Sequence, residues 1–210
     1  MQYVLSLFMG LCASIAGITP PGLLNMTAVK INRSEGNSRA LVFALGASLV
    51  LAIQSFIAII FAKFLDKHPE IILKLREAGL VIFTGLTLYF LIFAKASKPK
   101  KKVVKFKSKK SRFFWGVLLS SLNFLTIPFY VFLSLMLASY QVFTFELPFV
   151  SIFVFGIFVG TMVGFYFFVT FFEKMEHRTT FIVRNMNYVI GSITGIIALI
   201  SLVNVIQNYK

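Results

Sequence analysis

The amino-acid sequence predicts an all-α integral membrane protein with six transmembrane helices, arranged as two inverted three-helix repeats in which helices one and four are broken or kinked. Three observations lead to this prediction. Of the 210 residues, 58% are hydrophobic and 13% are charged, whereas soluble domains carry about 25% charged residues. Six long stretches are almost free of charged residues. A strongly basic segment separates the first three stretches from the last three.

Each apolar stretch is long enough to cross the hydrocarbon core of a bilayer, for which a helix needs about 20 residues. In lipid a helix satisfies its own backbone hydrogen bonds, so the stretches are expected to be helical. They account for most of the chain, and we therefore expect no separate catalytic domain. The stretches cover residues 3–29, 40–62, 78–94, 113–138, 147–172 and 185–209.

The basic segment runs from Lys95 to Arg112 and contains no acidic residue. Cytoplasmic loops are enriched in Lys and Arg, so this loop is predicted to be cytoplasmic and both chain termini to lie on the outer side. Two roles remain open, because the loop either only fixes the orientation or also binds anionic lipid head groups, at about 1 kcal/mol per basic residue. Nucleic acid is not an expected partner, since the loop offers few aromatic side chains for base stacking.

The basic loop, residues 96–112, divides the chain into two halves, residues 1–95 and 113–210. Each half has three predicted crossings, and an odd number inverts the second half relative to the first. Transporters built from inverted repeats bind substrate near the membrane midplane, where broken helices of the two halves meet. The sequence therefore predicts helix breaks at corresponding positions in the two halves.

Helix-breaking residues do occur at similar distances from the start of each half. The first stretch contains Thr19, Pro20, Pro21 and Gly22, and the fourth contains Pro128. A proline inside a helix leaves a backbone carbonyl without its usual donor. Such a carbonyl is tolerated at membrane depth only where protein covers it or where it lines a wet cavity. Two matching breaks therefore predict a shared polar cavity, with a pair of simple proline kinks as the alternative.

Uncharged polar side chains lie beside both breaks. Asn25 follows the first break, Asn123 and Thr126 flank the second, and Gln54 lies within the second apolar stretch. An amide offers both a donor and an acceptor and is costly to bury without partners. We predict that these four residues line the substrate site together with the break residues. For Gln54, a hydrogen bond between helices is an equally open interpretation.

Glycines in the last two stretches recur every four residues, as Gly156, Gly160 and Gly164 in the fifth and Gly191 and Gly195 in the sixth. This spacing places the glycines on one face of a helix, where another backbone can approach closely. We therefore predict tightly packed glycine faces. The spacing leaves open whether the neighbouring helix belongs to the same chain or to a second copy in a homodimer.

Ionisable residues are missing from the middle of the six stretches. Buried acids and histidines are the usual proton carriers of transporters, so the coupling candidate is the boundary residue Glu173. The alternatives are a proton carried on the substrate itself and facilitated diffusion without a coupled proton. His68 and His177 fall on opposite sides of the predicted membrane, which argues against a metal site built from a histidine pair. Nucleotide-binding and nucleophile motifs are absent from the sequence. We expect no enzyme activity, no cofactor and no metal.

Two short motifs resemble a known family. The Pro21-Gly22 turn followed by Asn25 is similar to the Pro-Gly-Pro region of LysE/RhtB-type exporters, and Leu122-Asn123 resembles the start of their Asn-Pro-Lys region in the fourth helix. The chain length, the helix count and the polar central loop are also similar to those of this superfamily.

The sequence departs from the family pattern at three positions. Leu23 replaces the second proline of the first motif, and Phe124 and Leu125 replace the Pro-Lys of the second. The resemblance implies a protein of the cytoplasmic (inner) membrane that exports amino acids or related metabolites, commonly with the proton gradient.

Taken together, the sequence predicts a secondary transporter that exports amino acids or similar small polar metabolites by alternating access. The alternative is a membrane scaffold or lipid-interacting protein without transport activity, whose breaks only shape the helical bundle. The predicted partners are a small-molecule substrate and membrane lipids.

Overall fold

The computed structural model describes residues 2–19, 22–93, 108–123 and 125–171, together with residues 191–192, 195–196, 198–199, 202 and 206. All regular elements in this described part are helical, and it contains no strand. The helices are α1 (Gln2–Ile18), α2 (Leu23–Glu35), α3 (Asn37–Asp66), α4 (Pro69–Leu88), α5 (Lys109–Ser121), α6 (Thr126–Ser139) and α7 (Leu147–Phe171). At its end α4 continues into a π-helical turn, Tyr89–Phe93.

Two of these helices, α3 and α7, are long and apolar enough to cross a membrane. Two further pairs of helices, α1 with α2 and α5 with α6, are also long and apolar enough when each pair is counted as one broken span. The axes of α1 and α2 differ by 79°, and those of α5 and α6 differ by 63°. The described residues therefore contain two clear apolar spans, or up to four with the bent pairs. The six-span count stays a prediction, and most of the sixth stretch lies outside the described residues.

The chain forms two compact units, each of which combines segments from both halves of the sequence. Unit 1 contains Met1–Phe64 and Val103–Met175, and unit 2 contains Leu65–Lys102 and Glu176–Lys210. Unit 1 thus holds both bent pairs together with α7 and nearly all of α3.

Within unit 1, α1 and α7 run parallel in close contact. The rings of Tyr3 and Phe149 stack with centroids 4.7 Å apart near the start of both helices. Further along, the backbone of Gly10 lies against the carbonyl of Phe153, where even one added methyl group would clash. The contacts advance in step along both helices, which fixes their common direction.

A second close pair, α3 and α5, has the same local geometry. Gly46 lies against the carbonyl of Phe113, and Gly116 lies against the carbonyl of Phe43. The α1–α7 pair shows the same pattern. In both pairs, each glycine lies against a carbonyl of the partner helix, and that carbonyl belongs to the residue one turn before the partner's own glycine. The Ser120 hydroxyl then donates to the Ala47 carbonyl at 3.1 Å, one turn further along both helices. Thus α3 and α5 are also parallel.

The helices α3 and α7 run in opposite directions. Phe43, near the start of α3, packs edge-to-face on Phe165, near the end of α7, with centroids 6.4 Å apart. At the other end, Ile59 of α3 shares a buried cluster with Val150 of α7. It follows that α1 and α5 also run in opposite directions.

Two buried clusters form the core of unit 1. The first core cluster joins α2 to the start of α3, to α5 and to the end of α7; its members are Leu24, Ala28, Ile31, Ala40, Phe43, Ala44, Ala47, Leu119, Phe165 and Val169. The second core cluster joins α6 to the start of α7, to α1 and to the end of α3; its members are Ala13, Ala58, Ile59, Tyr130, Phe143, Val150, Phe153 and Ile157. Each half-helix that follows a break therefore packs at a different end of the bundle.

The outer faces of the long helices are apolar. Along α3 the exposed large side chains include Leu49, Ile53, Phe56 and Ile60, which recur at helical spacing. Contiguous exposed apolar surface of this kind is rare on soluble monomers. It is compatible with a helix that faces lipid.

In unit 2, two glycines of the C-terminal segment lie against α4 and its π-helical turn. An added Cβ on Gly191 would meet the side chain of Leu91, and one on Gly195 would lie 3.3 Å from a methyl carbon of Thr87.

Candidate functional site

The first helix break lies between α1 and α2, at Thr19 and Gly22. The N–H and the hydroxyl of Thr19 both donate to the Ile15 carbonyl, at 3.0 and 2.6 Å. Asn25 is buried, and its Nδ2 donates to the Ile18 carbonyl at 2.6 Å. The Asn25 amide therefore supplies a donor to a carbonyl in the last turn of α1, where intrahelical donors run out.

The second break lies between α5 and α6 and comes before Pro128. Since α5 ends at Ser121 and α6 begins at Thr126, Pro128 belongs to the first turn of α6. A missing N–H at that position removes no helical hydrogen bond, so the proline begins the half-helix instead of interrupting it. Asn123 forms the turn: its N–H donates to the Ser120 carbonyl at 2.9 Å, and its carbonyl accepts from the Thr126 N–H at 3.3 Å. Thr126 is buried.

Gln54, in the middle of α3, reaches the end of α5. Its Nε2 donates to the Ser120 carbonyl at 3.4 Å, so one amide side chain is directed at the end of each broken helix. Its Oε1 is buried and has no hydrogen-bond partner among the described residues. An unpaired buried acceptor costs about 1–3 kcal/mol. A donor that reaches this oxygen would therefore bind favourably.

The two breaks lie close together. An added Cβ on Gly17, in the last turn of α1, would lie 3.3 Å from the ring of Phe129, in the first turn of α6. The end of one broken helix thus contacts the beginning of the half-helix that follows the other break. This contact joins residues that neighbour the two breaks, and the hydrogen bond from Gln54 to Ser120 joins one predicted site residue to the end of α5.

Both half-helices that follow a break begin without a side-chain cap. Neither N-cap residue, Gly22 of α2 or Leu125 of α6, has a side chain that accepts a hydrogen bond from its helix. By contrast, α5 is capped by Ser108, whose hydroxyl oxygen accepts from the Ser111 N–H at 3.2 Å. The first-turn N–H groups of a helix have no acceptor within the helix, and this end of the helix dipole is positive. In α6 the Thr126 N–H already donates to the Asn123 carbonyl and Pro128 has no N–H, so the dipole is the main attraction for an anion there. An anionic group is the natural ligand of such a helix start.

The predicted glycine face of α7 lies against α1 of the same chain. An added Cβ would meet the Leu7 carbonyl at Gly156, the Ser14 hydroxyl at Gly160 and the Ile18 side chain at Gly164; each approach is too close for a side chain. This face is therefore already occupied within the chain, and it is not a free surface for a second copy.

A buried ion pair joins the end of α2 to the first turn of α5. The Arg112 Nε donates to one carboxylate oxygen of Glu35 at 2.7 Å, and Nη2 donates to the other. Both side chains are buried. Arg39, at the start of α3, donates from Nη1 to the Glu35 carbonyl at 2.9 Å. A two-pronged contact of this kind is among the strongest between side chains, and removing one partner of a buried pair costs about 3–5 kcal/mol.

Sequence reasoning did not single out this pair. The predicted cytoplasmic loop includes Arg112, whereas α5 begins before it, at Lys109. Glu35 is the first acidic residue of the chain and is surrounded in sequence by Arg33 and Arg39. A lone acid within a basic segment was the available signal, but its partner, 77 positions away, could be identified only from the fold.

Several predicted features lie outside the described residues. These are Pro20, Pro21, the coupling candidate Glu173, Lys95 and most of the basic loop that follows it. Within the described part of the chain, no group of three or more His, Cys, Asp or Glu side chains is arranged to hold a metal ion.

Compared with known proteins, the chain matches no family model, no curated protein and no solved structure.

Proposed function

We propose that this chain is a secondary membrane transporter, with two inverted three-helix halves and a substrate site where the two helix breaks meet. The substrate class is small polar metabolites with an anionic end, such as amino acids, and the direction is export. The resemblance to LysE/RhtB-type exporters favours the same substrate class and the inner membrane, and the positive-inside rule favours termini on the outer side. The coupling residue under this proposal is Glu173 at the boundary of the membrane.

The observation that carries the proposal is the pair of uncapped half-helix starts at adjacent breaks. In broken-helix transporters the positive N-terminal ends of such half-helices face the anionic end of the substrate. Gln54 Oε1, buried and without a partner among the described residues, supplies an acceptor for the donor end. A zwitterion offers both complementary groups. This is the reason for preferring it over an uncharged solute.

The directions of the helices support the inverted halves. Corresponding helices of the two halves run in opposite directions, α1 against α5 and α3 against α7. Gly10 of α1 can be aligned with Gly116 of α5, and Gly46 of α3 with Gly156 of α7. In this alignment, residues of one core cluster correspond to residues of the other. The matched pairs are Ala40 and Val150, Phe43 and Phe153, Ala47 and Ile157, Leu119 and Ala13, and Val169 and Ile59.

The second candidate function is a lipid-binding scaffold, which the ten basic residues between positions 95 and 112 favour. The same residues also fix orientation by the positive-inside rule, so they do not separate the two functions. The breaks do separate them, because a scaffold has no need for two uncapped half-helix starts next to each other.

Solute counterflow in proteoliposomes tests the proposal. We expect the purified chain to exchange at least one amino acid or related zwitterion from a labelled panel, above the level of protein-free liposomes. The assay is repeated with an imposed pH gradient on the intact chain and on Glu173→Gln. It shows whether the gradient makes the vesicles accumulate the solute instead of only exchanging it. If no solute moves under either condition while anionic vesicles bind saturably, the scaffold is the correct function.

A further inference from the structure

We infer that the Glu35–Arg112 ion pair is a gate: it holds the ends of α2 and α5 together on the side of the basic loop, and it separates when the transport path opens to that side. This inference rests on the proposed transport function and adds the residues that control access to the site.

The pair connects the two halves of the sequence. Glu35 is the last residue of α2, the half-helix that follows the first break, and Arg112 lies in the first turn of α5, the half-helix that precedes the second. Through Arg39, the start of α3 is attached to the Glu35 carbonyl. Movement of α2 relative to α5 therefore requires this contact to break.

The opposite end of unit 1 has no equivalent ion pair among its described residues. When α1 is aligned with α5 on Gly10 and Gly116, the position of Arg112 corresponds to Ser6, which is buried and uncharged. In the same alignment Glu35 corresponds to Gln141, which is exposed and uncharged. The two ends of unit 1 therefore have corresponding core clusters, but among the described residues the ion pair is found only at the end that contains α2. Helix packing in this fold thus has no general need for the pair.

The physical chemistry of a buried pair suits a gate. Separating two charges in a dry interior is strongly unfavourable, but water that enters from the basic-loop side hydrates both charges and lowers that cost. The pair therefore favours the closed state without preventing the open one. An apolar pair of similar size would hold the helices together less specifically, because it lacks the two directed hydrogen bonds.

A reversible cross-link tests whether the contact must open. In a Cys12→Ser background, Glu35→Cys and Arg112→Cys are joined by a reducible bifunctional thiol reagent. We expect counterflow to stop on cross-linking and to return on reduction. The matched control joins Tyr3→Cys to Phe149→Cys, whose helices stay packed, and should keep its flux when cross-linked. Unchanged counterflow in the cross-linked Glu35→Cys, Arg112→Cys protein would overturn the inference.

A second measurement needs no transport. Thr19→Cys, at the first break, is labelled by a membrane-impermeant maleimide supplied from the basic-loop side. Replacing the pair by Glu35→Leu with Arg112→Met should raise the labelling rate about fivefold or more, the usual lower range of coupling between states. The reversed pair, Glu35→Arg with Arg112→Glu, should restore slow labelling. Thermal unfolding checks that each protein is folded.

Equal labelling rates in the intact, apolar and reversed proteins would show that the pair only fastens the helices, and the gate would be rejected. If labelling accelerates as expected while no solute moves in any variant, the gate stands and the transport function fails. If the apolar variant does not fold, the cross-linking result decides the question.

Discussion

At the scale of single residues, four glycines set the distance between the helices of unit 1. Gly10 and Gly156 face each other across the α1–α7 crossing, and Gly46 and Gly116 do so across the α3–α5 crossing. In each case the atom that an added Cβ would meet is a backbone carbonyl oxygen. Backbone cannot move aside as a side chain can, so these positions tolerate no larger residue without separating the helices.

Replacing these glycines should therefore destabilise the protein. Gly46→Ala and Gly156→Ala are expected to cost about 1–3 kcal/mol, the usual range for overpacking a filled interior. Gly85→Ala is the matched control, because nothing lies within 4 Å of an added Cβ there. Thermal unfolding in detergent measures all three. A midpoint for Gly156→Ala that equals that of Gly85→Ala would contradict the close crossing.

Sequence spacing identified only part of this arrangement. The four-residue repeat from Gly156 to Gly164 marks a small-residue face on α7, but the partner helix depends on how the chain folds. Gly10, Gly46 and Gly116 were not singled out, because an isolated glycine in an apolar stretch carries no periodic signal.

At the scale of helices, an amide side chain is directed at a carbonyl near the end of each broken helix. Asn25 donates to the last residue of α1, and Gln54 donates to a residue in the last turn of α5. The sequence indicated both amides and the location of the first break. The second break was harder to place, because a proline that starts a helix and one that interrupts a helix look the same in a sequence. The structure distinguishes them at Pro128.

Removing either amide should lower transport. Asn25→Ala and Gln54→Leu are expected to reduce counterflow at least about tenfold, as when a site loses one well-placed hydrogen bond to its ligand or hinge. Thr27→Ala is the control within α2, because its exposed hydroxyl bonds only to the Leu23 carbonyl of the same helix. Normal flux in both amide variants would remove the main reason for locating the substrate at the breaks. Loss of flux in Thr27→Ala as well would indicate a general effect on α2.

At the scale of the whole molecule, the central claim is that the second half of the chain is inverted relative to the first. Composition and the basic loop lead to this claim from the sequence, because the three crossings predicted for each half would invert the second half. The parallel and antiparallel contacts of unit 1 support it independently, since they depend on side-chain and glycine contacts and not on charge. Neither argument identifies the substrate, which is determined by details of the site that the sequence motifs do not fix.

Cysteine labelling of the loops tests this claim most directly. In a Cys12→Ser background, single cysteines react with a membrane-impermeant maleimide in right-side-out vesicles, before and after permeabilisation. We expect immediate labelling at the first set of positions, Gln2, Lys67, Thr144 and Lys210, and labelling only after permeabilisation at the second set, Asn37 and Ser108. Immediate labelling at Ser108, or termini on opposite sides of the membrane, would contradict the inverted halves and the transport mechanism built on them.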